Sequence, residues 1–254
     1  MLTRIVRAEN GPEEDGMISA MLLAHLVGDY VLQWDRLAYW KSRELKGVLA
    51  HGAIVSAVTL ILALLVDVAF WPWALFIGAT HIAIDAAPLW LLPRLDLKQG
   101  GLFELSRFLI DQTLHLSVIV LALMGGGYLS PHAPLAGVIA HLRADPLMAH
   151  LLGYVFVAMP GWVLVEFLVY GLVNHSAPDF PTVTAYKYVG TLERWLIATF
   201  VLLGQFALAP LVMLPRLALE GPQVFGTPRQ PVYVTELLAS LALALAVGLA
   251  LRQL

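Results

Sequence analysis

Seven stretches of about 20 mostly apolar residues, separated by short polar or proline-rich segments, leave this chain few folds to choose from. A helix of that length matches the ~30 Å hydrocarbon core of a bilayer. In lipid every backbone polar group must be satisfied within a helix or a closed barrel. The runs fall at roughly 17–34, 47–66, 70–92, 106–124, 147–173, 189–213 and 232–251. They predict an all-α, polytopic transmembrane helix bundle of about seven spans. Composition agrees: 59% of the 254 residues are hydrophobic and only 13% charged, with mean hydropathy +0.79. A soluble domain carries ~25% charged residues. The net charge of -3 leaves no electrostatic footprint for a nucleic acid, and none is expected as a partner.

The predicted organisation is a polar N-terminal arm over 1–16, a four-helix core over 17–124, a loop over 125–146 with room for a short interfacial helix, and three further transmembrane helices over 147–254. Pro215, Pro222, Pro228 and Pro231 mark a loop over 214–231, and Pro88 and Pro160 predict kinks. The start does not read as a secretory signal, because Glu9, Glu13, Glu14 and Asp15 intervene before the first apolar run. Trp34, Tyr39 and Trp40 at one end of the first hairpin, and Trp71 and Trp73 at the other, suit the two membrane interfaces. Arg36, Lys41, Arg43 and Lys46 follow the first span, and Arg94, Lys98 and Arg107 the third, whereas the loop after the second has no Lys or Arg. The excess predicts a bacterial inner-membrane protein with the loops after spans one, three and five in the cytoplasm and the N-terminus outside. Arg4, Arg7, Arg216 and Arg229 lie on the wrong side for that orientation.

Within the first four spans lie seven ionisable groups: His25 and Asp29, then His51, then His81 and Asp85, then Asp111 and His115. Such groups are costly in a membrane and mark functional sites. Three of the four spans carry a His/Asp pair at i, i+4, which places both side chains on one face. The order reverses to Asp-x-x-x-His on the outward-running fourth span. The three carboxylates therefore come out ~8–10 Å from the basic end, and their paired histidines ~14–16 Å. His51 comes out at ~6 Å. The His25/Asp29 motif recurs at His81/Asp85, a weak sign of two parallel hairpin repeats.

With no cysteine in the chain, any metal would be held by imidazole and carboxylate, a set that suits a divalent ion: zinc first, then manganese or iron. Seven candidate ligands admit one or two ions. The same groups also suit a proton or cation relay, or a purely structural network of His–Asp hydrogen bonds. Such bonds are worth only ~0.6 kcal/mol each in membranes, a poor return for burying seven ionisable groups.

The segments HLVGDYVLQ, THIAID and DQTLH, with His51, resemble the bacterial integral membrane family called domain of unknown function 3307. The likeness covers roughly 18–120 and, more loosely, 185–250. It implies a fold and a membrane location rather than a chemistry. The His-plus-HxxxD pattern is also similar to membrane-bound metal-dependent hydrolases.

In the second half, Glu166 falls at the level of the carboxylates and is a candidate eighth ligand or general base. Arg194 is a candidate for orienting an anionic group, against an interfacial ion pair with Glu193. His132, His141, His150 and His175 read as surface histidines. Three functions fit these residues. The first is a cytoplasm-facing metal-dependent hydrolase of a phosphoester or lipid-linked substrate. The second is a proton- or divalent-cation-coupled transporter or channel. The third is a non-catalytic assembly partner whose basic, aromatic loop DRLAYWKSRELKG meets lipid or protein.

Overall fold

The computed structural model describes residues 16–95, 100–178 and 187–254. The expected N-terminal arm, apart from Gly16, lies outside the described residues, as does Lys98. Among the described residues there is no strand, and ten α-helices follow one another. They are α1 (Gly16–Leu26), α2 (Asp35–Lys41), α3 (Leu45–Val66), α4 (Trp71–Leu91), α5 (Gly101–Gly126), α6 (Pro134–Ala144), α7 (Pro146–Val169), α8 (Lys187–Leu202), α9 (Leu214–Val224) and α10 (Gln230–Arg252). One compact unit contains the described residues up to 95 with Ile110–Leu152; the other contains the rest.

In the first unit, α1 runs on into a π-helical turn, Val27–Val31, and the chain then bends by 92° into α2. α3 and α4 form a tight hairpin. Two glycines allow it: a Cβ on Gly52 would fall 2.2 Å from Ile82 Cγ1, and one on Gly78 would fall 2.3 Å from Ser56 Oγ. Small residues that let backbones close up in this way are a main source of helix association in lipid. Pro72 sits at the start of α4, where its missing N–H costs nothing. Pro88 is accommodated near the other end, and α4 stops three residues later. The apolar core is Met17, Met21, Ala63, Phe70, Ile77 and Leu123 with their neighbours, at the opposite end of these helices from the His/Asp residues.

Among the described residues, five helices are long and apolar enough to cross a membrane, or six if Gly16–Val31 and Asp35–Lys41 count as one broken span. Only 33% of the α3 window and 22% of the α4 and α5 windows are buried within the protein, so their remaining apolar surface needs lipid. The expected count of about seven falls short at the run 189–213. There α8 ends at Leu202, Gly204 takes a positive φ of 73°, and 3₁₀ turns follow at Phe206–Leu208 and Pro210–Met213. The 16 residues of α8 span ~24 Å. Residues 214–231, expected as a loop, begin with α9, because Pro215 stands in its first turn. The stretch 125–146 contains α6. In the second unit α8 packs on α10 around Ile197, Tyr233, Leu237 and Ala244.

Candidate metal centre

Of the seven residues singled out in the first four spans, the structure brings five into one buried cluster. Asp29 leaves the π turn, His51 the first third of α3, His81 and Asp85 successive turns of α4, and His115 the middle of α5. Each is at most 7% exposed. His51 Nε2 donates to Asp29 Oδ1 at 3.0 Å. The Nε2 atoms of His51 and His81 stand 3.2 Å apart. Asp85 Oδ2 lies 3.2 Å from His81 Nε2 and 3.5 Å from His51 Nε2, and His81 Nε2 lies 3.8 Å from Asp29 Oδ1. Two sets of three have ligand atoms close enough for one ion: Asp29, His51 and His81, and His81, Asp85 and His115. The His81 and His115 rings stack with centroids 4.2 Å apart. His115 Nε2 is 3.7 Å from Asp85 Oδ1 and 3.6 Å from Asp111 Oδ2. Those distances are too long for hydrogen bonds, and this buried nitrogen makes none among the described residues.

His25 and Asp111 stand at the edge of the cluster. His25 Nε2 donates to Gln112 Oε1 at 3.2 Å. The Gln112 amide nitrogen donates to Asp111 Oδ2 at 2.9 Å and to Asp29 Oδ2 at 3.4 Å. The π turn has a direct consequence here. In a regular α-helix His25 and Asp29 would stack one above the other, but an extra residue in the turn shifts that register, and the two meet through Gln112 instead.

Two residues of the cluster escaped the reading of the sequence. Gln112 stands inside the DQTLH motif, where only the charged neighbours drew attention. Lys41 counted as a loop charge, yet its Nζ lies 3.6 Å from Asp29 Oδ1 and 3.2 Å from Asp85 Oδ2. No spacing along the chain gives this contact away, because the 92° bend before α2 creates it.

Glu166 and Arg194 belong to the second unit, and Arg194 finds its partners there. Arg194 is 2% exposed. Its Nε and Nη2 donate to the carbonyls of Val157 and Ala158, at 2.5 and 2.8 Å, just before Pro160 in α7. Thr191 and Ser240 hydroxyls accept two longer bonds. Arg194 is therefore buried within the protein, and its hydrogen bonds go to these groups rather than to Glu193. Glu193 pairs with Arg216, which also meets Glu220 and Glu236. Glu166 is fully buried, and neither carboxyl oxygen makes a hydrogen bond among the described residues. Of the four histidines expected at the surface, His132 and His175 are exposed and His150 is half-buried. His141 is buried, with Nε2 2.6 Å from Ser19 Oγ.

Residues 17–134 match the family model described as a protein of unknown function, DUF3307. The resemblance expected from the motifs is thus supported over α1 to α5, the segment that supplies every member of the cluster. No curated protein and no solved structure matches the chain. The DUF3307 match carries no activity, and the likeness to metal-dependent hydrolases has no counterpart in these comparisons.

Proposed function

We propose that this chain is a bacterial inner-membrane protein that binds one divalent metal ion, zinc foremost, and hydrolyses an anionic, lipid-linked ester at it. One observation carries the metal reading. Asp29 Oδ1, His51 Nε2, His81 Nε2 and Asp85 Oδ2 are separated by 3.0, 3.2, 3.2, 3.5 and 3.8 Å along five of their six edges. Ligands ~2.0–2.1 Å from a tetrahedral zinc stand ~3.3 Å apart, so Asp29, His51 and His81 have close to the spacing of three ligands of one ion, and Asp85 lies within reach of both imidazoles. Two imidazoles and two carboxylates suit zinc, with manganese or iron as lesser fits. The two candidate ligand sets share His81, and a neutral imidazole offers one lone pair, so they describe alternative arrangements of a single centre.

A bound ion of this kind would supply an activated water near neutral pH and polarise the ester oxygen. The chain's own residues account for the rest. His115, with a buried and unbonded Nε2 between two carboxylates, is placed to take up a proton. Gln112 fixes Asp29 from the side away from His51. Beyond the imidazoles lies a cavity of about 10 Å³, room for one water, walled by Met21, Val55, Ile77 and Ile119. That apolar wall supports access from one side only, which favours hydrolysis over passage of an ion through the protein.

Elemental analysis of the purified, detergent-solubilised protein tests the reading. The wild type should carry close to one zinc per chain, and an Asp29→Ala, His51→Ala double variant essentially none. Metal absent from both, with helical circular dichroism intact, sinks the proposal. If metal is present, release of phosphate from lipid-linked phosphoesters is the activity to expect.

A further inference from the structure

Lys41 reaches both Asp29 Oδ1 and Asp85 Oδ2, the two oxygens that stand beside the imidazoles of His51 and His81. The fold holds it there. Leu37 anchors α2 with 2% exposure. Gly47 lets the end of α2 lie against the start of α3: a Cβ on Gly47 would fall 2.5–2.6 Å from backbone atoms of Trp40 and Lys41. The Lys41 side chain is 21% exposed, so it stands between the buried carboxylates and the protein surface. Histidines that act as ligands are neutral, so Asp29 and Asp85 are the cluster's only compensating negative charges in direct contact with the ion. A divalent ion cancels both. The ion then competes for the same oxygens with an ammonium at 3.2–3.6 Å, and leaves it Asp111, at the edge of the cluster, as its nearby counter-charge.

We infer that Lys41 is a built-in counter-cation that competes with the metal ion for Asp29 and Asp85. The inference rests on the metal reading above and adds its control. By drawing on Asp85, Lys41 weakens the fourth protein ligand and keeps that coordination position open to water, the difference between a catalytic and a closed structural zinc site. Once the ion is bound, the loosened ammonium faces the mouth, where an anionic substrate arrives. The opposite role, a lysine that supports metal binding by orienting its ligand carboxylates, predicts the opposite sign for every measurement below.

Zinc affinity is measured in detergent by competition with a chromophoric chelator for wild type, Lys41→Met and Lys41→Arg. Lys41→Met, similar in length and uncharged, should bind zinc at least ~10-fold more tightly, and Lys41→Arg should stay within about threefold of wild type. Equal or weaker binding by Lys41→Met overturns the inference and leaves the metal site standing. No zinc bound by wild type or either variant, all with intact helical signal, removes the metal site and this inference together. A second measurement needs no variant: acylation of Lys41 by a water-soluble anhydride, read by mass spectrometry with and without zinc. Zinc should raise Lys41 acylation several-fold; an unchanged or lowered yield overturns the inference.

Discussion

Gln112 accepts a hydrogen bond from His25 and donates to Asp29 and Asp111, so one uncharged amide orients three titratable side chains. Replacing it with Leu strands those partners, and a buried polar group left unpaired costs ~1–3 kcal/mol. Gln112→Leu should therefore lower the thermal midpoint in detergent and weaken zinc binding. An unchanged midpoint would show that water replaces the amide without loss. Arg194 makes a different residue-scale case. Its guanidinium bonds two successive backbone carbonyls of α7, those of Val157 and Ala158. Arg194→Leu strands two buried carbonyls, at ~1–3 kcal/mol each, and Arg194→Lys should recover little, because a point charge cannot span both carbonyls. The histidines and aspartates were legible in the sequence because ionisable residues stand out in apolar runs. Lys41, Gln112 and the structural role of Arg194 were not, since each is defined by what it touches rather than by what surrounds it in the chain.

At the level of elements, the α3–α4 hairpin sets the distance between His51 and His81. Gly52, next to His51, and Gly78, about one turn from His81, bring the two helices together. A leucine at Gly78 must displace Ser56, and overpacking of this kind costs ~1–3 kcal/mol. Gly78→Leu should spread the hairpin and reduce zinc stoichiometry well below one, whereas Gly100→Ala, with open space around its Cβ, should do neither. Apolar run length located α3, α4, α5, α7 and α10 closely, because a bilayer imposes a minimum length that sequence displays directly. It misjudged the run 189–213, where hydropathy continues but Gly204 and Pro210 break the helix. It also missed α9, since prolines that mark loops are equally at home in a first helical turn.

For the whole molecule, the charge pattern predicts which end of the first unit faces the cytoplasm. Arg216 was one of the charges against that orientation, but it is buried among Glu193, Glu220 and Glu236 and is not a free positive charge. The chain has no cysteine, so single-cysteine variants report directly on topology. Ser42→Cys should react with a membrane-impermeant maleimide only in inverted vesicles, and Ser130→Cys only in intact spheroplasts. The reverse pattern would place the His/Asp centre toward the outer leaflet. Sequence was enough to make the chain all-α, to suit it to a membrane and to place its histidines and aspartates in four apolar runs. These follow from one-dimensional properties: run length, residue type and position along a helix of fixed rise. Only the tertiary structure decided which of those groups meet. The π turn, the sharp bend before α2 and the glycine-mediated approach of α3 and α4 rotate and translate side chains by a few ångströms, and at an ion-sized site a few ångströms separate a ligand from a neighbour.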